Sequence, residues 1–378
     1  MTDRRVFVTG ALGFIGRAVA DRFRSDGAEV RGVDIRGDET TGVVAGDVSE
    51  PGPWQDHATG SDLVVHTAAV VSNVANPNRA WAVNVRGARN VLDAAISGRA
   101  ARFVHFSSAA VYGHRRPVAV DERHPVRPTG TTYGDTKIAS EQVVLQAHAA
   151  GEIAVSILRP GDVYGPGSRP WTVLPVEMLR KRQVLLPAHG RGMFDPVYVD
   201  DLVEMVALVA SEARSAGQVF NVGAGAPVET RTFFGYYARM LGLPRPPEIG
   251  TVAASIISEA AGRALRALGR PSEVSAATMR MLAGTGSLSI EKARRVLGYE
   301  PAVDLAEGMR RTQEWLRTEG YLGTFGPGAD FPRVDAGGDA QHGGTSDGED
   351  LQAVWPERVG RRAARAPHPP PRNGNGAA

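Results

Sequence analysis

Through the first half of the chain, short apolar runs alternate with stretches of helical period. Val6 to Val8, Val30 to Val33, Leu63 to His66, Phe103 to Phe106 and Val155 to Leu158 read as strands. Their Val, Ile and Leu positions run almost without interruption instead of alternating with polar ones, as strands buried on both faces do. Helix-period segments separate them, the first from about Arg17 to Ser25. This succession predicts an α/β fold with a doubly wound parallel sheet covered by helices.

From about Pro170 the pattern changes to Pro-punctuated loops and separate helices: Leu174 to Lys181, Val199 to Ser211, Thr232 to Leu241 and Val252 to Leu268. We expect a first domain over 1–170 and a smaller mixed α/β substrate lobe over 171–325. A last helix pair, around Ser289 to Leu297 and Leu305 to Leu316, closes the globular part. Asp200 and Asp201 precede an apolar-periodic run and suit a helix start, where carboxylates cap free amides and meet the positive end of the dipole. Residues 326–378 are rich in Gly, Asp, Pro and Ala. Such a tail buries too little apolar surface to fold and is expected to be mostly disordered, with a short helix near Glu357 to Ala364.

Composition narrows the class. With 378 residues and 42% hydrophobic content, the chain can build a sizeable core. A net charge of +2 excludes a whole-chain electrostatic footprint for nucleic acid or an anionic membrane. Cysteine is absent, which removes disulfides, thiolate metal sites and a cysteine nucleophile together. The start enters a strand-like run at once, with no long apolar leader, and no stretch approaches the ~18 apolar residues of a membrane span. A soluble cytoplasmic protein is expected.

Candidate chemistry begins directly after the first strand. In Gly10-Ala11-Leu12-Gly13-Phe14-Ile15-Gly16, glycines three apart allow a tight turn. They also permit close approach of backbone amides to a pyrophosphate and packing of the following helix on the strand. The second strand ends in Asp34, followed by Ile35, where a carboxylate accepts adenosine ribose hydroxyls and repels a 2'-phosphate. That favours NAD; Arg36, two residues on, would welcome the phosphate and keeps NADP open. Only three of the 43 Lys and Arg residues are lysine, and Lys137 follows Tyr133 by four positions, on one face of a helix. An ammonium beside a phenol favours the phenolate, lowering a pKa that starts near ~10 and suiting Tyr133 to general acid/base work. The pair alone also fits an ordinary solvated helix face. His66 and His105, at apolar strand ends, read as satisfied core histidines, and no His, Asp or Glu cluster has metal spacing.

In this order the motifs resemble the extended short-chain dehydrogenase/reductase superfamily, the NAD-dependent epimerase/dehydratase family, from residue 6 to about residue 320. The resemblance implies a Rossmann-type domain. It places Gly46-Asp47-Val48 beside the adenine and His66-Thr67-Ala68-Ala69 along the cofactor, and Asn84 matches the family's helix asparagine. Ser107-Ser108-Ala109-Ala110-Val111-Tyr112-Gly113 matches the strand with the active-site hydroxyl, which selects Ser108. Tyr133 and Lys137 match the catalytic pair. Arg159-Pro160-Gly161-Asp162-Val163-Tyr164-Gly165 resembles the segment under the nicotinamide. Tyr112 lies outside the YxxxK spacing and reads as structural. A homodimer packed through helices of the first domain is implied by the resemblance alone.

Departures from the pattern bear on the substrate. Ala109 and Ala110 stand where sugar dehydratases carry an Asp-Glu pair, so that chemistry is not expected. Asp162 and Phe194 stand where binders of nucleotide diphosphates place Asn and Arg. A carboxylate and a phenyl ring are poor exchanges for an amide and a guanidinium at a diphosphate. Phe194, Trp171 and Val252 to Leu268 suit an apolar substrate or ordinary lobe core, and the segment through Gly167-Ser168-Arg169-Pro170-Trp171 resembles the 3β-hydroxysteroid dehydrogenase-like branch. The leading expectation is an NAD-dependent oxidoreductase interconverting a secondary alcohol and a ketone on a hydrophobic or polycyclic small molecule. Two alternatives stand beside it: a nucleotide-sugar epimerase using the same triad, and a non-catalytic nucleotide sensor.

Overall fold

The central sheet shows why the apolar runs are continuous. A computed structural model describes residues 4–269 and 272–322. Its first strands are β1 (Arg5–Thr9), β2 (Glu29–Asp34), β3 (Val43–Ala45), β4 (Leu63–His66), β5 (Arg102–Phe106) and β6 (Ala154–Pro160). Helices α1 (Phe14–Ser25), α2 (Pro77–Trp81), α3 (Gly87–Ser97) and α4 (Thr132–Ala149) connect them, with one π-helical turn, Ala82–Arg86, between α2 and α3. Then come β7 (Asp162–Tyr164), α5 (Leu174–Arg180), β8 (Met193–Phe194), β9 (Pro196–Tyr198), α6 (Val199–Ser211), β10 (Gln218–Val222) and β11 (Val228–Glu229). The chain continues with α7 (Thr230–Met240), α8 (Thr251–Ala267), α9 (Ala276–Leu282), α10 (Glu291–Leu297) and α11 (Leu305–Thr318).

Seven strands pair in parallel in the order β10-β6-β5-β4-β1-β2-β3, a Rossmann-type doubly wound sheet. Successive residues of one strand enter opposite cores. Val6 and Val8 pack with Val19 and Phe23 of α1 and Leu202 and Val206 of α6, while Phe7 packs on the other face with Val91 and Leu92 of α3 and Val144 of α4. The five predicted strands are present. β3, of three residues, and β10, which returns from the lobe to pair with β6, are additions to them. Helix α1 begins at Phe14, inside the glycine motif, and not at Arg17.

The lobe is built on two small ladders, β7 with β9 and β8 with β11. Phe194, 2% exposed, meets Trp171 edge-on at 4.7 Å between ring centres and Phe233 at 4.1 Å. These rings form lobe core, which resolves the two readings of Phe194 in favour of packing. Asp201 does not cap its own helix: it is 4% exposed and accepts from the amides of Ala302 (2.8 Å) and Val303 (3.3 Å), tying α6 to the approach of α11. Asp200 pairs with Arg311 at 3.3 Å. Among the described residues no helix is long and apolar enough to cross a membrane. The tail and the short helix expected near Glu357 to Ala364 lie outside the described residues.

Candidate active site

The order of the strands reverses at β1, which lies between β2 and β4, and doubly wound sheets bind their ligands at the carboxyl ends beside such a reversal. Gly10 leaves β1 at φ +67°, in the left-handed region, with its amide donating to Val33 O at 2.8 Å. A Cβ on Gly16 would lie 2.0 Å from Gly10 O, and one on Gly10 would reach the Ala68 backbone at 3.0 Å. The turn is therefore a cradle that side chains would fill. Gly13 is the N-cap of α1, no side chain bonds the first amides of that helix, and no acidic residue sits in its first turn. These features fit the pyrophosphate of a dinucleotide. Phe14 and Ile15 turn back onto the core below.

Asp34 ends β2 with its carboxylate aimed at this turn, accepting from Leu12 N at 3.0 Å and Ile35 N at 2.7 Å. A carboxylate has lone pairs beyond those two, so it can also receive ribose hydroxyls. Ile35 is 62% exposed, a free apolar surface beside it. Asp47, after β3, receives Ser49 and Arg79 (2.9 Å). Val48 is buried, and its carbonyl accepts from Asn90. Thr67 and Ala68 hang from Thr9 at the end of β1: Thr67 Oγ1 donates to Thr9 O at 2.7 Å and Ala68 N to Thr9 Oγ1 at 3.3 Å. Ala69 follows, partly exposed. The amide of Asn84 is committed internally. It accepts from Val70 N and donates to Val70 O and Thr136 Oγ1, so it fixes the loop after β4 against α4. The π turn that carries Asn84 is a frequent feature of functional sites.

Beyond the reversal lie the groups with acid/base chemistry. Ser108 follows β5 and accepts from Ala110 N at 3.1 Å. Tyr133 opens α4 and Lys137 lies one turn on, 4% exposed, donating to Phe106 O at 2.8 Å and standing 5.9 Å from the centre of the Tyr133 ring. Pro160 ends β6, buried. The fold thus brings Ser108, Tyr133, Lys137 and the glycine turn to one edge of one sheet.

The electrostatics differ from the expectation in one respect. Burial pushes the Tyr133 phenol above its ordinary value, and a hydrogen bond with Ser108 opposes this, so the phenol is not depressed by Lys137. Lys137 is itself lowered to about 8 by burial, against the pull of Glu141. His66 is lowered to about 3 by burial and then by Lys137, and its Nδ1 bonds Thr9 Oγ1 at 2.7 Å. His105 is lowered likewise, with Nε2 on Ser140 Oγ at 2.9 Å. Both are core histidines, but only His66 is wholly in keeping with the expectation: His105 Nδ1 is buried without a hydrogen-bond partner. Tyr112 is fully buried, donates to Asn221 Oδ1 at 2.7 Å and accepts from Arg159 at 2.9 Å, in keeping with a structural role. The sequence names Arg159 only as the start of the segment under the nicotinamide and gives no role to Glu141, Arg116 or Asp195; of these three, Glu141 alone has a local signal, its spacing of four from Lys137.

Comparison with known proteins gives the family. The family model described as NAD dependent epimerase/dehydratase family matches residues 6–223. A 4-hydroxy-2-methyl-3-oxo-4-farnesyl-3,4-dihydroquinoline-1-oxide ketoreductase of Stigmatella aurantiaca is 31% identical over 81% of this chain and 94% of its own. A 3beta-hydroxysteroid-dehydrogenase/decarboxylase (isoform 1) of Arabidopsis thaliana is 27% identical over 82% of this chain and 79% of its own. Among solved structures, MoeE5 in complex with UDP-glucose and NAD superposes with a TM-score of 0.67 at 27% identity, covering 83% of this chain and 99% of its own. The chain belongs to the NAD dependent epimerase/dehydratase family and is an NAD-dependent enzyme of the extended short-chain dehydrogenase/reductase type.

Proposed function

We propose that the enzyme interconverts a secondary alcohol and a ketone on a hydrophobic or polycyclic small molecule. The observation that carries this reading is a pair of carboxylates just beyond β6. Asp162 N donates to Asp195 O at 2.7 Å and Asp195 N returns to Asp162 Oδ2 at 3.2 Å, so β7 and the start of β9 hold two acids together. The nearby guanidinium, Arg116, is engaged by Asp195. A nucleotide diphosphate would find the nearby guanidinium already paired. Burial pushes Asp162 up to about 7, Arg116 opposes that and Asp195 adds to it. Near neutral pH a part of this carboxyl is protonated and can donate to a carbonyl or hydroxyl oxygen. The ketoreductase relative, whose name carries a farnesyl quinoline, and the hydroxysteroid relative support the same class.

NAD, when bound, supplies the acceptor or donor of hydride. Ser108 Oγ orients the substrate oxygen, and Tyr133 Oη takes or gives its proton. Lys137 holds a proton at Nζ, 5.9 Å from the centre of the Tyr133 ring, and reaches for ribose hydroxyls. Gly10, Gly13 and Gly16 seat the pyrophosphate, Asp34 the adenosine ribose, and Asp47, Val48, Thr67, Ala68, Ala69 and Pro160 line the remaining path.

A second reading, nucleotide-sugar epimerisation by the same triad, is favoured by the likeness to MoeE5 with UDP-glucose. Incubation with NAD and a panel of sterol-like and aromatic secondary alcohols separates the two. Net NADH absorbance that disappears in Tyr133→Phe, with NAD binding kept, is the expected result. UDP-sugar epimerisation without net NADH would replace this reading with the second.

A further inference from the structure

Glu141 lies one helical turn beyond Lys137 and is 1% exposed, deeper than the lysine itself. Arg159 grips it with two parallel bonds, Nε to Oε1 at 2.8 Å and Nη2 to Oε2 at 2.7 Å. Its remaining Nη1 donates to Tyr112 Oη, Tyr112 donates to Asn221 Oδ1, and Asn221 Nδ2 donates to Val120 O at 2.9 Å and Ser289 O at 3.1 Å. The series runs from α4 through β6 to β10 without leaving the interior. A buried ion pair rarely stabilises more than apolar residues of the same volume, so stability alone is a weak reason for this one. Its position supplies a better reason. The titratable groups facing Lys137 are Tyr133 and Glu141 on α4, His66 at the end of β4 and His105 on β5, and both histidines are held neutral. Glu141 is the one anion among them.

We propose that Glu141, clamped by Arg159, is a positioning residue: its carboxylate keeps the Lys137 ammonium charged, so that at neutral pH Lys137 meets the cofactor ribose and the Tyr133 phenol as a cation. This rests on the reading of Tyr133 and Lys137 as the proton-handling pair. Burial works against the ammonium, and Glu141 is the group that opposes it. Arg159 fixes that carboxylate in place below Lys137 through its two parallel bonds.

The chain contains three lysines, Lys137, Lys181 and Lys292, so lysine labelled with 13C at Cε gives three signals, and Lys137→Arg assigns the one of interest. In Glu141→Gln the Lys137 titration is expected to fall by about one pH unit, and the alkaline limb of kcat/KM to move down with it. Glu141→Asp should restore both. If Glu141→Gln does not fold, the pair Glu141→Met with Arg159→Met removes the charges together and is read in the same way. An unmoved Lys137 titration in either folded variant overturns the proposal, whatever happens to turnover. A shifted titration in a protein that oxidises no alcohol leaves the role of Glu141 toward Lys137 standing and removes the functional reading instead.

Discussion

Asp34 and His66 carry the residue-scale consequences, one through a ligand and one through a proton. The Asp34 carboxylate is fixed by Leu12 N and Ile35 N, and so faces the glycine turn in a single orientation. Charge-assisted bonds from ribose hydroxyls to such an acceptor contribute ~1.5–3 kcal/mol, and Asp34→Ala should weaken NAD binding by about tenfold to a hundredfold. NADP, which the same charge repels, should lose far less, so the ratio of the two affinities measured by titration calorimetry should contract. His66 acts through folding. Its pKa is lowered to about 3 in the folded chain, against an unfolded value of ~6.5, so below ~6.5 the unfolded state binds the extra proton. The stability that neutral His66 preserves is present above ~6.5 and drains away as pH falls toward 3, at ~1.4 kcal/mol for each unit of the shift. Thermal melts of His66→Gln, which keeps a hydrogen-bonding group near Thr9 without titrating, should depend less steeply on pH between 6.5 and 4 than those of the parent.

At the scale of elements, Asp201 shows a side chain whose work the local pattern misassigns. A carboxylate in the first turn of an amphipathic run suits a cap, yet this one bonds Ala302 N and Val303 N, a hundred residues on. Helix periodicity carries no information about such a partner. Asp201→Ala would leave two amides without their acceptor, at ~1–3 kcal/mol each where they are buried. A lowered Tm with unchanged NAD affinity is the expected result, and an unchanged Tm would show that the α6 to α11 tie contributes nothing. The same limit explains what was legible. β1, β2, β4, β5 and β6 announced themselves because both of their faces are buried, whereas three-residue β3 has too few positions to show a period. β10, QVFNV, starts at Gln218 and carries an Asn whose amide is paired with Val120 and Ser289, and these two polar positions in five hide a core strand. At the site, Ser108, Tyr133, Lys137 and the glycines stand at fixed local spacings and could be read. Arg116 and Asp195 are brought together from distant segments and could not.

At the scale of the whole molecule, the candidate cofactor contacts are spread over the loops after β1, β2, β3 and β4, the helical segments that carry Asn84, Tyr133 and Lys137, and Pro160 at the end of β6. Several of those loops are already tied to one another. Thr9 holds Thr67 and Ala68, Asn84 holds Val70 and Thr136, and Ser72 donates to Glu273 at 2.5 Å, joining the loop after β4 to the segment between α8 and α9. A ligand that bonds across such a set stabilises the entire folded unit, since unfolding any one loop releases it. Saturation at a hundred times Kd adds ~2.7 kcal/mol, and Tm should rise by a few degrees for a chain of this length. NAD should therefore raise Tm more than NADP at equal concentration, and Asp34→Ala should narrow that gap. Gly16→Ala, whose Cβ would stand 2.0 Å from Gly10 O, should abolish the NAD-dependent rise altogether. An undiminished rise in Gly16→Ala would mean that the dinucleotide binds elsewhere than at the turn after β1.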